Sequence, residues 1–438
     1  MSKGISSFQL VLLAVFGAIG VAGILVFALA TAGGGNGGLS PVTIWGTFDA
    51  GTVKEVIRAA AEQDSRLSQV TYVQKNPGTF EQDLANALAS GKGPDLFLLR
   101  SDEALYDANK VYQFPYSSLS QSQFQNTFVD AGDTYMTANG ILGLPVLVDP
   151  LVLYWNRDML ATAGVAQPPQ FWDQLPGMAG QLVKRDSSGN IQSAAIALGT
   201  YQNISGAKDI VSMLIQQAGG KIVTQNSAGQ YAPALAAGGG ASLAAQTALE
   251  FYTEFANPSQ SDYSWNNAQP EASQAFSAGN LAMYVGYAGE QPQIIAANPN
   301  LNFAVSPIPQ VRSSSNAIDA GTVYAIAVTK NDPNLQSALT VAYLLASAPV
   351  DQALAQSLGY APARRDVIAA STSTVANTRL INQMSLITRT WADPDPTQTG
   401  PIFQAMIDDT DSGAMKAQDA IGRANQQIGN LLTADQPQ

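Results

Sequence analysis

Neither histidine nor cysteine occurs among the 438 residues, so any chemistry falls to carboxylates, lysine, tyrosine and serine. Disulfides, zinc sites built on Cys or His, cysteine nucleophiles and Ser-His arrangements are all excluded. Three carboxylates stand out because each follows an apolar run: Asp49 after residues 42–45, Asp102 after 95–99, and Asp149 after 141–148. Arg100 and Ser101 lie just before Asp102, and Gly46, Thr47 and Phe48 just before Asp49. Each has an ordinary reading too, Asp49 as a turn residue near a helix start and Asp102 as a helix N-cap. Their coincidence at three strand ends favours binding, because open α/β sheets take ligands beyond the carboxyl ends of their strands. Carboxylates converging in this way would accept hydrogen bonds from hydroxyl or ammonium groups.

The elements that must position them alternate. Residues 42–45 read as a strand, and Thr52-Val53-Lys54-Glu55 has the form of a capping box, with Val53, Val56, Ile57 and Ala60 on one helical face. Residues 70–73 form a second strand. Thr79 with Gln82 suggests another capping box, before a helix carrying Phe80, Leu84, Ala87 and Leu88 and ending at Gly91. Residues 95–99 are a third strand, so the pattern predicts a parallel sheet covered by helices. In residues 139–164, two apolar runs flank Asp149-Pro150. Pro150 offers no N–H and an Asp-Pro pair makes a poor hairpin, so one strand should hand over to another there, at a crossing between two lobes. The alternative is one long kinked strand in a single sheet.

The length suits two lobes. The balance of 21 basic and 33 acidic residues gives −12, which opposes binding to nucleic acid or anionic lipid. Residues 8–32 carry no charge and are long enough to span a bilayer, with Lys3 before them. We therefore expect an N-terminal transmembrane helix with the bulk of the chain outside; a cleaved secretory signal is the alternative, and the body is exported either way. The glycine-rich residues 33–40 read as a tether with a reach of about 15 Å.

Gly143-Leu144-Pro145 and Tyr154-Trp155-Asn156-Arg157-Asp158-Met159-Leu160 add a family resemblance, supported by Gly93-Pro94-Asp95, Ala163-Gly164, Gln167-Pro168-Pro169 before Trp172, Ala275-Phe276 with Gly279, Pro307-Ile308-Pro309 and residues 359–366 (GYAPARRD). In this order the chain from 41 onward resembles an extracellular solute-binding protein of the maltose-binding type, the receptor subunit of an ATP-driven (ABC) importer. The resemblance implies an α/β, two-lobed, hinged periplasmic-binding-protein-like fold of type II. Its first lobe would hold residues 41–148 and 307–348, and its second 149–306 and 349–438, with hinge crossings at Asp149, around 305–308 and near Pro349.

On their own pattern, residues 194–198, 281–285, 302–305 and 323–328 read as strands, and 171–183, 210–218, 241–255, 272–276 and 334–345 as helices. A closing helix carries Ala417, Ile421, Ala424, Ile428 and Leu431, a spacing suited to core packing in a monomer. Two hinged lobes bind by closing over a solute, and carbohydrate is the expected class, needing flat apolar faces and fixed hydroxyl acceptors. Candidate platforms are Trp45, Phe48, Tyr201, Tyr287 and Trp391; candidate acceptors are Asp49, Asp102 and Asp149, with Arg100 as a donor. The resemblance places Asp102 and Asp149 at acidic sugar contacts. It also implies permease subunits as partners, no cofactor, no metal and no catalysis. Departures from the pattern, Leu98-Leu99 where an aromatic is usual and Tyr287-Ala288-Gly289 in place of a loop usually led by tryptophan, weigh against a long maltodextrin. A polyamine ligand, a glycoside hydrolase using Asp102 and Asp149, and a tethered sensor without transport are the alternatives.

Overall fold

The computed structural model describes residues 39–434 except 227–228, 239 and 315. The expected membrane segment 1–32 and most of the tether lie outside the described residues. Strands β1 (Val42–Gly46), β2 (Val70–Gln74) and β3 (Leu96–Arg100) are joined by the helices Ala50–Gln63 and Phe80–Ala89. They pair in parallel with β1 in the middle, as strand–helix–strand connections require. Both expected capping boxes are corrected. The first helix begins ahead of Thr52, and Asp49 caps it, its Oδ2 accepting from the Thr52 N–H at 2.7 Å. Thr79 makes no cap bond, and its hydroxyl donates to Asp83 instead, at 3.2 Å.

The remaining strands are β4 (Leu144–Asn156), β5 (Lys184–Arg185), β6 (Ile191–Ile196), β7 (Val223–Gln225), β8 (Tyr231–Pro233), β9 (Leu281–Tyr287), β10 (Phe303–Ser306), β11 (Asp319–Val328), β12 (Ala361–Pro362) and β13 (Thr388–Arg389). One sheet runs β2-β1-β3-β11-β4-β9-β6-β5, with β10 and β12 also on β4 and β13 on β11, while β7 and β8 form a separate hairpin. Asp149-Pro150 does not end a strand. It changes the neighbours of one: β4 pairs with β12 up to Val148 and with β11 up to Pro150, then with β9 from Leu151 and with β10 from Leu153. The sheet therefore has two halves, each covered by its own helices, and β4 belongs to both.

The other two crossings fall later in the chain than expected. After β10 the chain stays with the second half: the buried Gln217 side chain donates to the carbonyls of Pro309 (3.2 Å) and Ile318 (2.7 Å). The crossing is β11 itself. Pro349 likewise opens the helix Ala348–Leu358 rather than breaking the chain, and that helix packs on Ala50–Gln63, β4 and β12. The third crossing is β13, after which Pro396–Asp411 packs on the helices Gly240–Glu254 and Ala417–Ala434. All three crossings lie side by side, with Gly321 opposite Pro150, Thr322 opposite Asp149, and Asp319-Ala320 opposite Thr388-Arg389.

At that point a Cβ on Gly321 would lie 2.5 Å from the Asp149 carbonyl oxygen and 2.7 Å from Pro150 Cα. These are backbone atoms and cannot swing aside. Gly321→Ala should therefore cost about 3 kcal/mol, measured by urea unfolding. A loss below ~0.5 kcal/mol would show that the crossing strands separate easily.

Beneath β3 lies a group of buried acids. Asp107 is fully buried and ion-paired with Lys110, which also reaches Glu81 at 3.2 Å. Burial, helped by Glu81 and opposed by Lys110, pushes Asp107 up to about 7. Burial and then Asp102, opposed by Arg100, push Glu103 up to about 8. Unfolded, both would titrate near 4. Between pH ~4 and ~8 the native state holds protons that the unfolded chain has lost, so stability should fall across that window and level off above it. The melting midpoint should be higher at pH 5 than at pH 8, with a shallower slope in Asp107→Asn; a flat profile would refute this.

Candidate functional site

The end of β3 carries the first part of the site. Ser101 is buried, and its Oγ accepts from the Val323 N–H at 3.1 Å, fastening β3 to β11. Arg100 then donates from Nε and Nη2 to the two Asp102 oxygens, at 2.9 and 2.8 Å. The paired side chains keep 41% and 31% exposure, yet both also lose much hydration. That combination suits a concave, partly enclosed surface rather than a convex one. Burial alone would raise Asp102, but Arg100 and then Lys208 outweigh it and hold the carboxyl below its ordinary value.

Lys208 and Asp209 come from the second half, in the first turn of the helix Ala207–Gln217. Lys208 is ion-paired with the buried Asp393 and donates to Thr399 Oγ1 at 2.9 Å. Burial raises Asp393 to about 6 against the pull of Lys208, while the shift of Lys208 is upward. The pair is ionised at neutral pH, since Asp393 also accepts from the Thr399 hydroxyl at 2.8 Å. The Tyr287 hydroxyl donates to Asp209, whose carboxyl is raised by burial and lowered by Lys208 and by that bond. Arg100 and Asp102 act electrostatically on Asp209 and Tyr287, so groups of the two halves face each other across the cleft.

Asp149 forms the floor, where β4 changes partners. Its Oδ1 accepts from the Gly289 N–H at 2.8 Å, and Gly289 fits so closely that a Cβ would meet both Asp149 Oδ2 and the Tyr360 ring at 2.9 Å. Burial pushes Asp149 up to about 8; the Gly289 N–H lowers it, Glu290 raises it and Arg100 lowers it. Beside it, Phe48 packs against Tyr324 and Tyr360 with ring centroids 4.8 and 5.3 Å away.

Arg100, Asp102, Asp149 and Tyr287 thus come together, and Phe48 joins the aromatic floor with 8% exposure. Trp391 borders the cluster, 5.3 Å from Lys208 Nζ and stacked on Phe403 at 6.0 Å. Tyr201 is half-buried at its edge, within electrostatic reach of Lys208 and Asp209. Two candidates are used elsewhere. Asp49 is exposed and spent on its helix cap. Trp45 lies under Lys75, 3.5 Å from its ring, on the face of β1 opposite Ile44.

Lys208, Asp209, Asp393, Tyr324 and Tyr360 escaped the sequence reading. The helix bearing the first two was expected from residue 210, so both read as loop; Gly206 just before them was the available signal. Tyr360 lay unused inside GYAPARRD. Among the described residues, no group of three or more acidic residues could hold a metal ion.

Comparison with known proteins supplies the frame for this geometry. The sequence profile of the bacterial extracellular solute-binding protein family matches residues 57–380. Binding proteins of Brucella abortus (strain 2308) and Brucella suis biovar 1 (strain 1330) are 24% identical over 160 residues, 33% of this chain and 39% of each relative. The chain thus matches well under half the length of these curated relatives. An ABC-transporter solute-binding protein of Thermotoga lettingae, solved with α-D-tagatose, superposes with a TM-score of 0.68 at 21% identity, over 90% of this chain and 100% of that one. The cyclic α-maltosyl-1,6-maltose-binding protein of Arthrobacter globiformis gives 0.74 at 17% identity, over 91% and 100%. The maltotriose-bound maltodextrin-binding domain of Bdellovibrio bacteriovorus gives 0.66 at 16% identity, over 90% and 100%. At such identities the shared property is the α/β two-lobed periplasmic-binding-protein-like fold. The profile match carries the assignment itself: this chain belongs to the bacterial extracellular solute-binding protein family.

Proposed function

We propose that the protein is an extracytoplasmic receptor that takes a small, uncharged, hydroxyl-rich solute, a carbohydrate, between its two lobes and delivers it to the permease of an ABC transporter. The first lobe comprises residues 41–149 and 322–388, the second 150–318 and 390–434, and the adjoining crossings of β4, β11 and β13 are the hinge. Residues 1–32 tether a monomeric body to the membrane. The observation that carries the solute class is the charge pairing in the cleft. Each cation already has its own carboxylate, Arg100 with Asp102 and Lys208 with Asp393. The remaining acids, Asp149 and Asp209, are held toward the neutral form.

Such a cleft offers fixed donors and acceptors with little net charge. A polyamine would find its carboxylates occupied or protonated, and an anion would find both cations taken. Hydroxyls can share these groups without breaking the pairs, and Phe48, Tyr360 and Trp391 supply apolar faces for a sugar ring. The solved relatives that bind sugars support the same class.

One observation favours a second reading. A carboxyl held up at Asp149 and one held down at Asp102 also suit the acid and base of a glycosidase. Thermal unfolding of the purified protein against neutral sugars, polyamines and sugar phosphates, with product assay, separates the readings. A neutral sugar at a hundredfold its dissociation constant should add ~2.7 kcal/mol and raise the midpoint by several degrees, without turnover. Asp102→Ala and Asp209→Asn should each abolish the shift. A shift with spermidine alone, or sugar cleavage lost in Asp149→Asn, would overturn the proposal.

A further inference from the structure

Two carboxyls are buried among the strands that cross between the halves. Asp149 stands on β4 opposite Thr322, and Asp319 stands on β11 opposite Thr388 of β13. Asp319 Oδ1 accepts from the Ala320 N–H at 2.8 Å, while its Oδ2 is buried with no hydrogen-bond partner among the described residues. Asp149 accepts from the Gly289 N–H at 2.8 Å. Neither carboxyl has an ion-pair partner among the described residues. Arg389, next to Thr388 on β13, pairs with Asp130 at 2.6 Å instead. A charge on either aspartate would be unpaired and poorly hydrated, which is costly.

The cover over Asp149 is shared between the halves. Gly289 comes from the second and Tyr360 from the first, and a Cβ on Gly289 would lie 2.9 Å from both Asp149 Oδ2 and the Tyr360 ring. Parting the halves would draw this cover aside and let water reach the carboxyl. The groups facing the pair offer no free cation. Glu290, Tyr324 and Tyr360 are acidic or neutral, and Arg100, which acts on Asp149, is held by Asp102. On the helices packed against β4 and β11, Lys208 is paired with Asp393 and Asp209 accepts from Tyr287. Asp351 there accepts from the Ala363 N–H at 3.2 Å, and Arg379 is exposed.

Resting on the reading of a receptor that closes two lobes over its solute, we infer that this joint is a proton-sensitive hinge. Protonated Asp149 and Asp319 let the lobes stay together; ionisation of the pair admits water, parts the lobes and weakens the hold on the solute. Burial raises both carboxyls while the joint is covered, Asp149 to about 8, and the charge of Asp149 raises Asp319 further. Uncovered, an aspartate titrates near ~4. Between pH ~4 and ~8 the covered joint keeps protons that the opened one has lost, so closure is favoured at the acid end and lost toward the alkaline end.

The chain has no cysteine, so Lys54→Cys in the first half and Gln202→Cys in the second, both exposed, would take a clean pair of spin labels. In the purified full chain without solute, the label distance should lengthen from about pH 5 to about pH 9. Asp319→Asn should shrink that change, and Asp149→Asn combined with it should abolish the change. Calorimetric titration with glucose and maltose should show affinity falling about tenfold or more over the same range. A label distance that ignores pH, or that shifts equally in the double variant, would overturn the hinge and leave the receptor reading intact. No heat with either sugar, when spermidine or a sugar phosphate does bind, would overturn the carbohydrate reading; the label distance decides the hinge in either case.

Discussion

Everything in this molecule hangs on three backbone segments passing side by side. β4, β11 and β13 cross between the halves at one place, and β4 meets β11 there with no room for a side chain on Gly321. Pro150 lies opposite that glycine, and with no N–H it cannot add a bond to the ladder. The halves are therefore joined by continuous strands with a locally weakened ladder. Such a joint transmits position while leaving a place where backbone torsions can change. Two buried acids, Asp149 and Asp319, sit at the same place.

From that joint the site follows geometrically. β3 ends beside β11, so Arg100 and Asp102 emerge next to the crossing, while β9 ends at Tyr287 on the other side of β4. Asp149 lies between them and reaches Gly289 across the boundary. The third crossing then delivers Trp391 and Asp393 to Lys208. Residues drawn from five separated stretches meet because the strands carrying them share one seam.

The electrostatics follow from burial within that arrangement. With no histidine in the chain, carboxyls are the groups left to titrate near neutral pH, and burial moves several of them there. Arg100, with Lys208 behind it, outweighs burial at Asp102 and holds that carboxyl down; at Asp393 and Asp107 burial prevails in spite of a paired lysine, and at Asp149, which has only a backbone N–H, it prevails as well. The cleft is polar without being strongly charged, and a neutral, hydroxylated solute is what such a surface favours.

Much of this was legible in the residues themselves. Short apolar runs alternating with helical apolar faces outlined the β1–β3 unit, although both expected capping boxes were wrong, and the rule that ligands lie beyond strand ends singled out Asp49, Asp102 and Asp149. An Asp-Pro pair between two apolar runs marked the crossing, because proline cannot serve a ladder whatever surrounds it. Local pattern could not reveal that Asp49 would be spent on its own helix cap or that Trp45 would lie under Lys75. It could not find Lys208, Asp209 and Asp393 either, since their roles depend on partners that are distant along the chain. Nor could it set the protonation of Asp149, which depends on how much water the fold removes. The amino-acid order alone determined which segments are strands and helices, because backbone torsions and apolar periodicity are local properties. Tertiary structure alone decided which charges pair and which carboxyls stay neutral, because Coulomb energy and desolvation depend on distances that only the folded chain sets.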